Sequence, residues 1–230
     1  MLIDFTEFKK RSGVEFKDQS LLTQAFVHRS YINENKASGL SHNERLEFLG
    51  DAVLELVITN FLYEKYPQKT EGDLTAYRSS LVNAQTCAEI ATRLSMNDYL
   101  LLSKGESKDT GRARQYILAN TLEAFIGAVY LDQGYDTAKA FIEREFTPLI
   151  DGIISAGSWI DAKSLFQEKA QEFDGITPSY KTMKESGPDH EKKFTVGVYL
   201  NKELVASGEG DSKQDAEQSA AREALKVRGW

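Results

Sequence analysis

Three carboxylates at helical spacing carry the first chemical signal in this chain. Glu44, Glu47 and Asp51 stand at i, i+3 and i+7 in the stretch NERLEFLGDAVLEL, residues 43–56. On an α-helix they share one face. Leu46, Leu49, Val53, Leu56 and Val57 are expected on the opposite, core-packing face. Gathered carboxylates repel one another, and Mg²⁺ or another hard cation is the natural counter-ion for an all-oxygen cluster. A solvated acidic face is the plain alternative, and spacing alone favours it. Phe48 weighs the other way: a large aromatic beside the carboxylates, off the main apolar face, fits a partner surface.

A second half-motif lies downstream. In YILANTLEAFIGAVYLD, residues 116–132, Asn120 and Glu123 stand at i and i+3, with Gly127 on the same face. Leu118, Leu122, Phe125 and Val129 belong to the buried sides, and Gly127 permits close approach of another backbone or a ligand. Two helices offering oxygen ligands from one face each could converge on a metal-filled site. Alone, the second segment reads as a generic helix.

The elements that must position these groups are helical up to about residue 150. Apolar helical spacing recurs in 21–31, 45–66, 76–94 and from 116 through to Ile150. Turn chemistry breaks the runs at Tyr66-Pro67, Glu71-Gly72-Asp73, 103–111 and Asp132-Gln133-Gly134. The small segment DGIISAGS, 151–158, is expected as a hinge or linker. Beyond it the period changes: a helix over 162–173, a strand over 194–200, another over 203–210, and a last helix capped by Ser212 with Asp215 in its first turn.

Composition bounds the partners. The 230 residues suffice for one or two domains, each with its own core, and carry a net charge of −7. The tail beyond residue 158 has 11 Lys and Arg against 13 Asp and Glu, so nucleic-acid binding must rely on placed contacts rather than long-range attraction. No apolar run reaches membrane-spanning length, and MLIDFTEFKKRSG lacks a signal peptide's basic start and apolar block. The single Cys87 excludes an internal disulfide framework, fits a reducing cytoplasm, and reads as a small buried helix residue. His28 and His42 flank the first motif and read as structural or hydrogen-bonding residues.

NERLEFLGDAVL, with ILANTLEA downstream, closely resembles bacterial ribonuclease III, and the resemblance covers the whole chain. The tail is similar to that family's double-stranded-RNA-binding domain through Gly187-Pro188-Asp189-His190, the strand FTVGVYL and the helix start SKQDAEQSAA. The resemblance implies an all-α ribonuclease III-type endonuclease domain over 1–150, a linker over 151–158, and a small α+β (α-β-β-β-α) RNA-binding domain over 159–230. It implies a homodimer that uses Mg²⁺, with Mn²⁺ as a substitute, to hydrolyse double-stranded RNA. The products would be 5′-phosphate and 3′-hydroxyl ends with a two-nucleotide 3′ overhang, from ribosomal, messenger and transfer RNA precursors in the cytoplasm. Neither DNA nor a membrane is an expected partner.

By position, the resemblance makes Glu47, Asp51, Asn120 and Glu123 the metal-binding set. Asp51 and Glu123 would be catalytic, Glu47 and Glu123 would hold the ion, and Asp51 would order ligands and water. Glu44 and Glu71 match further acidic positions, and Phe48 would project into the partner subunit. Ser164, Gln167, Glu168 and Gln171 resemble one minor-groove contact and His190 a second. Lys213 would meet phosphate at a helix N-terminus, with Gln214 where a second basic residue is usual. Lys104, Lys108, Arg112 and Arg114 cluster just before the second metal helix, as a solvated loop or as phosphate contacts.

Asn120 departs from the family, which usually has Asp there. Asn supplies a carbonyl oxygen without charge. At a few ångströms one charge is worth on the order of a few kcal/mol of interaction with a divalent ion. An active natural variant, a natural loss of activity and a substitution made to trap substrate all fit. The intact Glu47, Asp51 and Glu123 favour the first. A non-catalytic double-stranded-RNA-binding regulator is the second reading, supported by Asn120 alone.

Overall fold

The computed structural model describes residues 3–157, 159, 161–188 and 192–230, and the chain divides into two compact units, Met1–Trp159 and Ile160–Trp230.

The first unit is helical. Its elements are α1 (Thr6–Ser12), α2 (Gln19–Ala25), α3 (Arg29–Glu34), α4 (Glu44–Lys65), α5 (Glu71–Leu81), α6 (Ala84–Arg93), α7 (Arg112–Gln133), α8 (Tyr135–Phe146) and α9 (Ile150–Ala156). The long α4 and α7 pack on each other, and α6 and α8 flank α7. The core is closed by fully buried rings, with Phe8 edge-on to Phe26 and to Phe125, and Phe125 edge-on to Phe141. Offset and edge-on pairs of this kind add to the stabilisation from burial itself. Among the described residues no helix is long and apolar enough to cross a membrane.

Local chemistry sets the breaks, and it redraws several of the expected boundaries. The helical run over 21–31 splits because Leu101 engages the chain between α2 and α3: His28 N–H donates to the Leu101 carbonyl, and Leu101 N–H donates to that of Phe26. His28 then caps α3 by accepting from Ser30 N–H. The run over 76–94 splits at Asn83, whose side chain caps α6 by accepting from Thr86 N–H at 2.8 Å. Glu71-Gly72-Asp73 is not a turn but the first turn of α5, where Thr70 and Asp73 form a reciprocal capping box. The segment expected as a linker begins with α9, and the first unit extends to Trp159, whose ring meets Tyr77 edge-on at 4.8 Å.

The second unit is an antiparallel sheet, β1 (Ser179–Ser186), β2 (Lys193–Leu200) and β3 (Glu203–Gly210), in that order, with α10 (Ala162–Asp174) and α11 (Lys213–Arg228). Val198 and Leu200 on β2 pack against Phe166, Ala170, Ala220 and Ala224 of the helices. The alanine face of α11 lies so close to β3 that a Cβ on Gly208 would fall 2.2 Å from Ala220 N. β1 shows no alternation in sequence because nearly all its residues are exposed.

Candidate metal centre

The expected site depends on how α4 and α7 cross. A Cβ on Gly50 would sit 1.8 Å from the Glu123 carbonyl oxygen, and one on Gly127 would sit 2.2 Å from that of Leu46. Two glycines therefore face each other's helix, and the backbones touch where side chains would otherwise hold them apart. Gly127 thus admits a backbone rather than a ligand. Gly50 lies between Glu47 and Asp51, and Gly127 lies one turn beyond Glu123, so the contact brings both half-motifs together.

The N-terminus of α4 is anchored before the carboxylates begin. Buried Asn43 donates from its side-chain amide to the Ala25 carbonyl at 3.0 Å, and its backbone N–H donates to Val27. Glu44 and Glu47 then occupy the first turn, where the helix dipole favours negative charge. Glu44 is exposed, 3.5 Å from the Arg29 guanidinium and 3.6 Å from His42 Nδ1.

Electrostatics ties together three of the four expected ligands. Glu123 is half-buried, and burial, then Asp51, then Glu47 push its carboxyl up to about 8. Glu47 is also raised, by burial and then by Glu44 and Asp51, while the Asn120 side chain offsets part of the rise by hydrogen bonding. Asn120 is therefore a hydrogen-bonding neighbour of Glu47. Asp51 is exposed at the rim. Among the described residues none of Glu47, Asp51 and Glu123 has a Lys, Arg or His ion partner. Nor are three acidic, His or Cys side chains already drawn into a closed cage. Mutual repulsion keeps such anions apart and favours neutralisation. Three carboxylates and one amide carbonyl, with Glu47 and Glu123 raised in pKa and no cationic side chain paired with them, fit a hard divalent cation.

Cys87 is a neighbour that sequence reasoning did not connect with the site. It is fully buried on α6, and burial, then Glu123 and Asp51, push its thiol well above the ordinary range. It is no nucleophile, but an apolar surface behind Glu123. Its position in sequence showed burial; its closeness to the carboxylates depends on how α6 packs on α7.

The remaining expected residues divide. Phe48 is 81% exposed, off the core face as expected. Leu56, expected in the core, is 57% exposed instead, and with Phe48 and Tyr63 it forms an outward apolar stripe along α4. Glu71 is exposed and accepts from the Thr75 hydroxyl at 3.0 Å. The basic cluster shrinks from four residues to three. Arg114 is committed internally, donating to Asn97 Oδ1 at 2.7 Å and to the Glu106 carbonyl, whereas Lys104, Lys108 and Arg112 are exposed.

In the second unit, Ser164, Gln167, Glu168 and Gln171 line one shallow depression along α10 with Glu172. Ser164 also donates to the N-cap residue Asp161. Lys213 and Gln214 are exposed at the start of α11, which Ser212 caps by accepting from Asp215 N–H. His190 lies outside the described residues.

Comparison with known proteins places both units. Residues 18–150 match the family model described as ribonuclease-III-like, and residues 162–228 match the double-stranded RNA binding motif. Ribonuclease 3 of Enterococcus faecalis is 46% identical over 224 residues, covering 96% of each chain. Ribonuclease 3 of Borreliella burgdorferi is 43% identical over 222 residues, covering 96% of this chain and 90% of the relative. A crystal structure of the nuclease domain of ribonuclease III from Campylobacter jejuni superposes with a TM-score of 0.56 at 38% identity, over 63% of this chain and 97% of that one. A second structure of the same domain, with the same TM-score, is described as showing structural flexibility in a region involved in dimer formation.

Proposed function

The chain belongs to the ribonuclease III family and is a double-stranded-RNA endonuclease, and from that premise we propose that Glu47, Asp51, Asn120 and Glu123 hold the Mg²⁺ on which cleavage depends. The observation that supports this most is the glycine-mediated crossing of α4 and α7, which sets Glu47 and Asp51 beside Asn120 and Glu123. Mn²⁺ meets the same oxygen donors and would substitute. When bound, the metal would make a water acidic enough to attack phosphorus and would stabilise charge on the phosphate and leaving oxygens.

The residues have separable tasks. Glu47 and Glu123, half-buried and raised in pKa, bind the cation. Asp51, exposed at the rim, can accept hydrogen bonds from water and keep a nucleophile oriented. Asn120 supplies a neutral carbonyl oxygen, and its amide N–H can donate to Glu47. Hydrolysis that breaks the P–O3′ bond puts the water oxygen on phosphorus and a proton on O3′, which leaves 5′-phosphate and 3′-hydroxyl ends. Two such sites facing each other in a homodimer would leave the two-nucleotide 3′ overhang. The substrates would be structured ribosomal, messenger and transfer RNA precursors in the cytoplasm.

The test is cleavage of an end-labelled RNA duplex in millimolar Mg²⁺. We expect wild-type protein to cut and Asn120→Asp to cut with a lower metal requirement, since a fourth carboxylate adds attraction for the ion on the order of a few kcal/mol before desolvation. A wild type that leaves duplex uncut in both Mg²⁺ and Mn²⁺, with cleavage restored by Asn120→Asp, would turn the assignment toward the RNA-binding regulator.

The dimer is tested separately. The Phe48, Leu56 and Tyr63 stripe is the apolar surface we assign to the partner subunit, with Phe48, its most exposed residue, at the N-terminal end. Phe48→Glu should lower the mass seen by light scattering at low micromolar concentration from dimer toward monomer. A variant that stays fully dimeric removes Phe48 from that role.

A further inference from the structure

Lys213 at the start of α11, and Lys192 and Lys193 at the start of β2, already have anions to hold. Lys213 Nζ lies 3.1 Å from Glu185 Oε1, near the end of β1, and 5.6 Å from the centre of the Phe194 ring. Lys192 Nζ lies 3.5 Å from Glu185 Oε2. Lys193 pairs with Asp211, two residues before α11. Glu185 stands beside Phe194 in the β1–β2 register, so strand pairing itself presents its carboxylate to Lys213. The Glu185 carboxyl is held below its ordinary value, chiefly by the hydrogen bond from Lys213. One carboxylate therefore serves two lysines, at the helix N-terminus that most favours an anion.

We propose that Glu185 is an internal competitor for RNA phosphate: it occupies Lys213 and Lys192 in the free protein, and its displacement limits the affinity of duplex binding. The proposal rests on reading the second unit as the double-stranded-RNA-binding domain with Lys213 as a phosphate contact. Two features of this chain fit it. Gln214 stands where a second base would add attraction, and the tail is net negative. A phosphate arriving at Lys213 would find the Glu185 carboxylate well within the Debye length of about 10 Å at 0.1 M salt, where like charges still repel. Because Glu185 and its lysines are substantially exposed, the pairing is weak enough to exchange. Glu185 is thus a tuning residue that acts through the lysines and touches no reacting atom.

The experiment uses full-length protein in EDTA, so that binding is read without cleavage, with a fluorescein-labelled RNA duplex of about 24 bp, longer than the ~16 bp one such domain spans. Anisotropy titrations across a KCl series compare wild type, Glu185→Gln, Lys213→Ala and the double variant. We expect Glu185→Gln to bind about 3–10-fold more tightly at 0.1 M KCl, with the log Kd–log[KCl] slope steeper by about one, the signature of one more phosphate contact. Lys213→Ala should weaken binding and remove most of the gain in the double variant. Unchanged or weaker binding by a Glu185→Gln protein with the wild-type melting curve overturns the proposal, because Glu185 would then be neutral or would orient Lys213 productively. If wild type itself fails to prefer this duplex over DNA of the same sequence, the RNA-binding reading fails and the proposal falls with it.

Discussion

Glu123→Gln should abolish cleavage and, in the same molecule, stabilise the metal-free protein at alkaline pH. The catalytic half is direct. Gln keeps one carbonyl oxygen but removes the charge from a residue assigned to hold the ion, so cleavage should fall by more than the ~10–100-fold that loss of an outer ligand partner costs. The stability half follows from the Glu123 carboxyl, pushed up from an ordinary 4.5 to about 8 by burial, Asp51 and Glu47. A carboxyl whose folded value lies above its unfolded value favours folding only as the neutral acid. Below about pH 4.5 it is neutral in both states and costs nothing. Between pH 4.5 and about 8 the unfolded chain ionises while the folded one resists, and stability is lost. Above about 8 the full cost is present.

The shift sets a ceiling of about 5 kcal/mol, at about 1.4 kcal/mol per unit. Glu123 keeps some contact with solvent and the site can relax, so about 1–3 kcal/mol is the expected gain for Glu123→Gln in EDTA at pH 8–9. At about 2–4 °C per kcal/mol for a unit of this size, the melting temperature should rise by several degrees. The two proteins should converge near pH 5. Adding Mg²⁺ at pH 8 should raise the melting temperature of wild type and much less that of the variant, since a ligand stabilises only the state that binds it. A variant that is less stable than wild type in EDTA at pH 8.5 would mean that Glu123 makes favourable contacts outweighing its burial among like charges.

The same residue shows what could be read from sequence. The i, i+3 and i+7 spacings placed Glu47, Asp51, Asn120 and Glu123 on helical faces because helical period is local. The resemblance to ribonuclease III then implied the pairing of the two faces, and α4 and α7 cross where both half-motifs lie. Boundaries were less legible where one side chain decides them. Gly72 made Glu71–Asp73 look like a turn, while the cap that starts a helix there is Thr70, one residue earlier. Leu56 was assigned to the core because a periodic leucine normally is; its exposure reflects an outward apolar stripe shared with Phe48 and Tyr63, which hydrophobicity alone cannot distinguish from a core face. Cys87 was legible as buried but not as the surface behind Glu123, because packing of α6 on α7 is a tertiary fact. Glu185 carried no signal at all, since its meaning comes from a strand register that sets it beside Lys213.

Gly50→Ala should destabilise the nuclease unit by about 2–4 kcal/mol even though alanine is the better helix former. Propensity alone favours Ala over Gly within a helix by about 1 kcal/mol. Against that stands the geometry: the new Cβ would lie 1.8 Å from the Glu123 carbonyl oxygen, 2.7 Å from its carbonyl carbon and 2.8 Å from Gly127 N. All three are backbone atoms of α7, so no rotamer change relieves the clash and the helices must move apart. Overpacking that side chains can absorb costs about 1–3 kcal/mol, and a rigid backbone contact belongs at or above the top of that range. Gly152→Ala in α9 is the control, because nothing lies within 4 Å of its added Cβ; there the propensity gain should stand alone and stability should hold or rise slightly. Of the two substitutions, identical in chemistry, only Gly50→Ala should lower the melting temperature. Cleavage should also fall in Gly50→Ala under conditions where it remains folded, because the displaced segment of α7 carries Glu123. If Gly50→Ala melts at or above wild type, α4 and α7 do not cross at van der Waals contact there, and the glycine-mediated convergence of the two half-motifs is wrong.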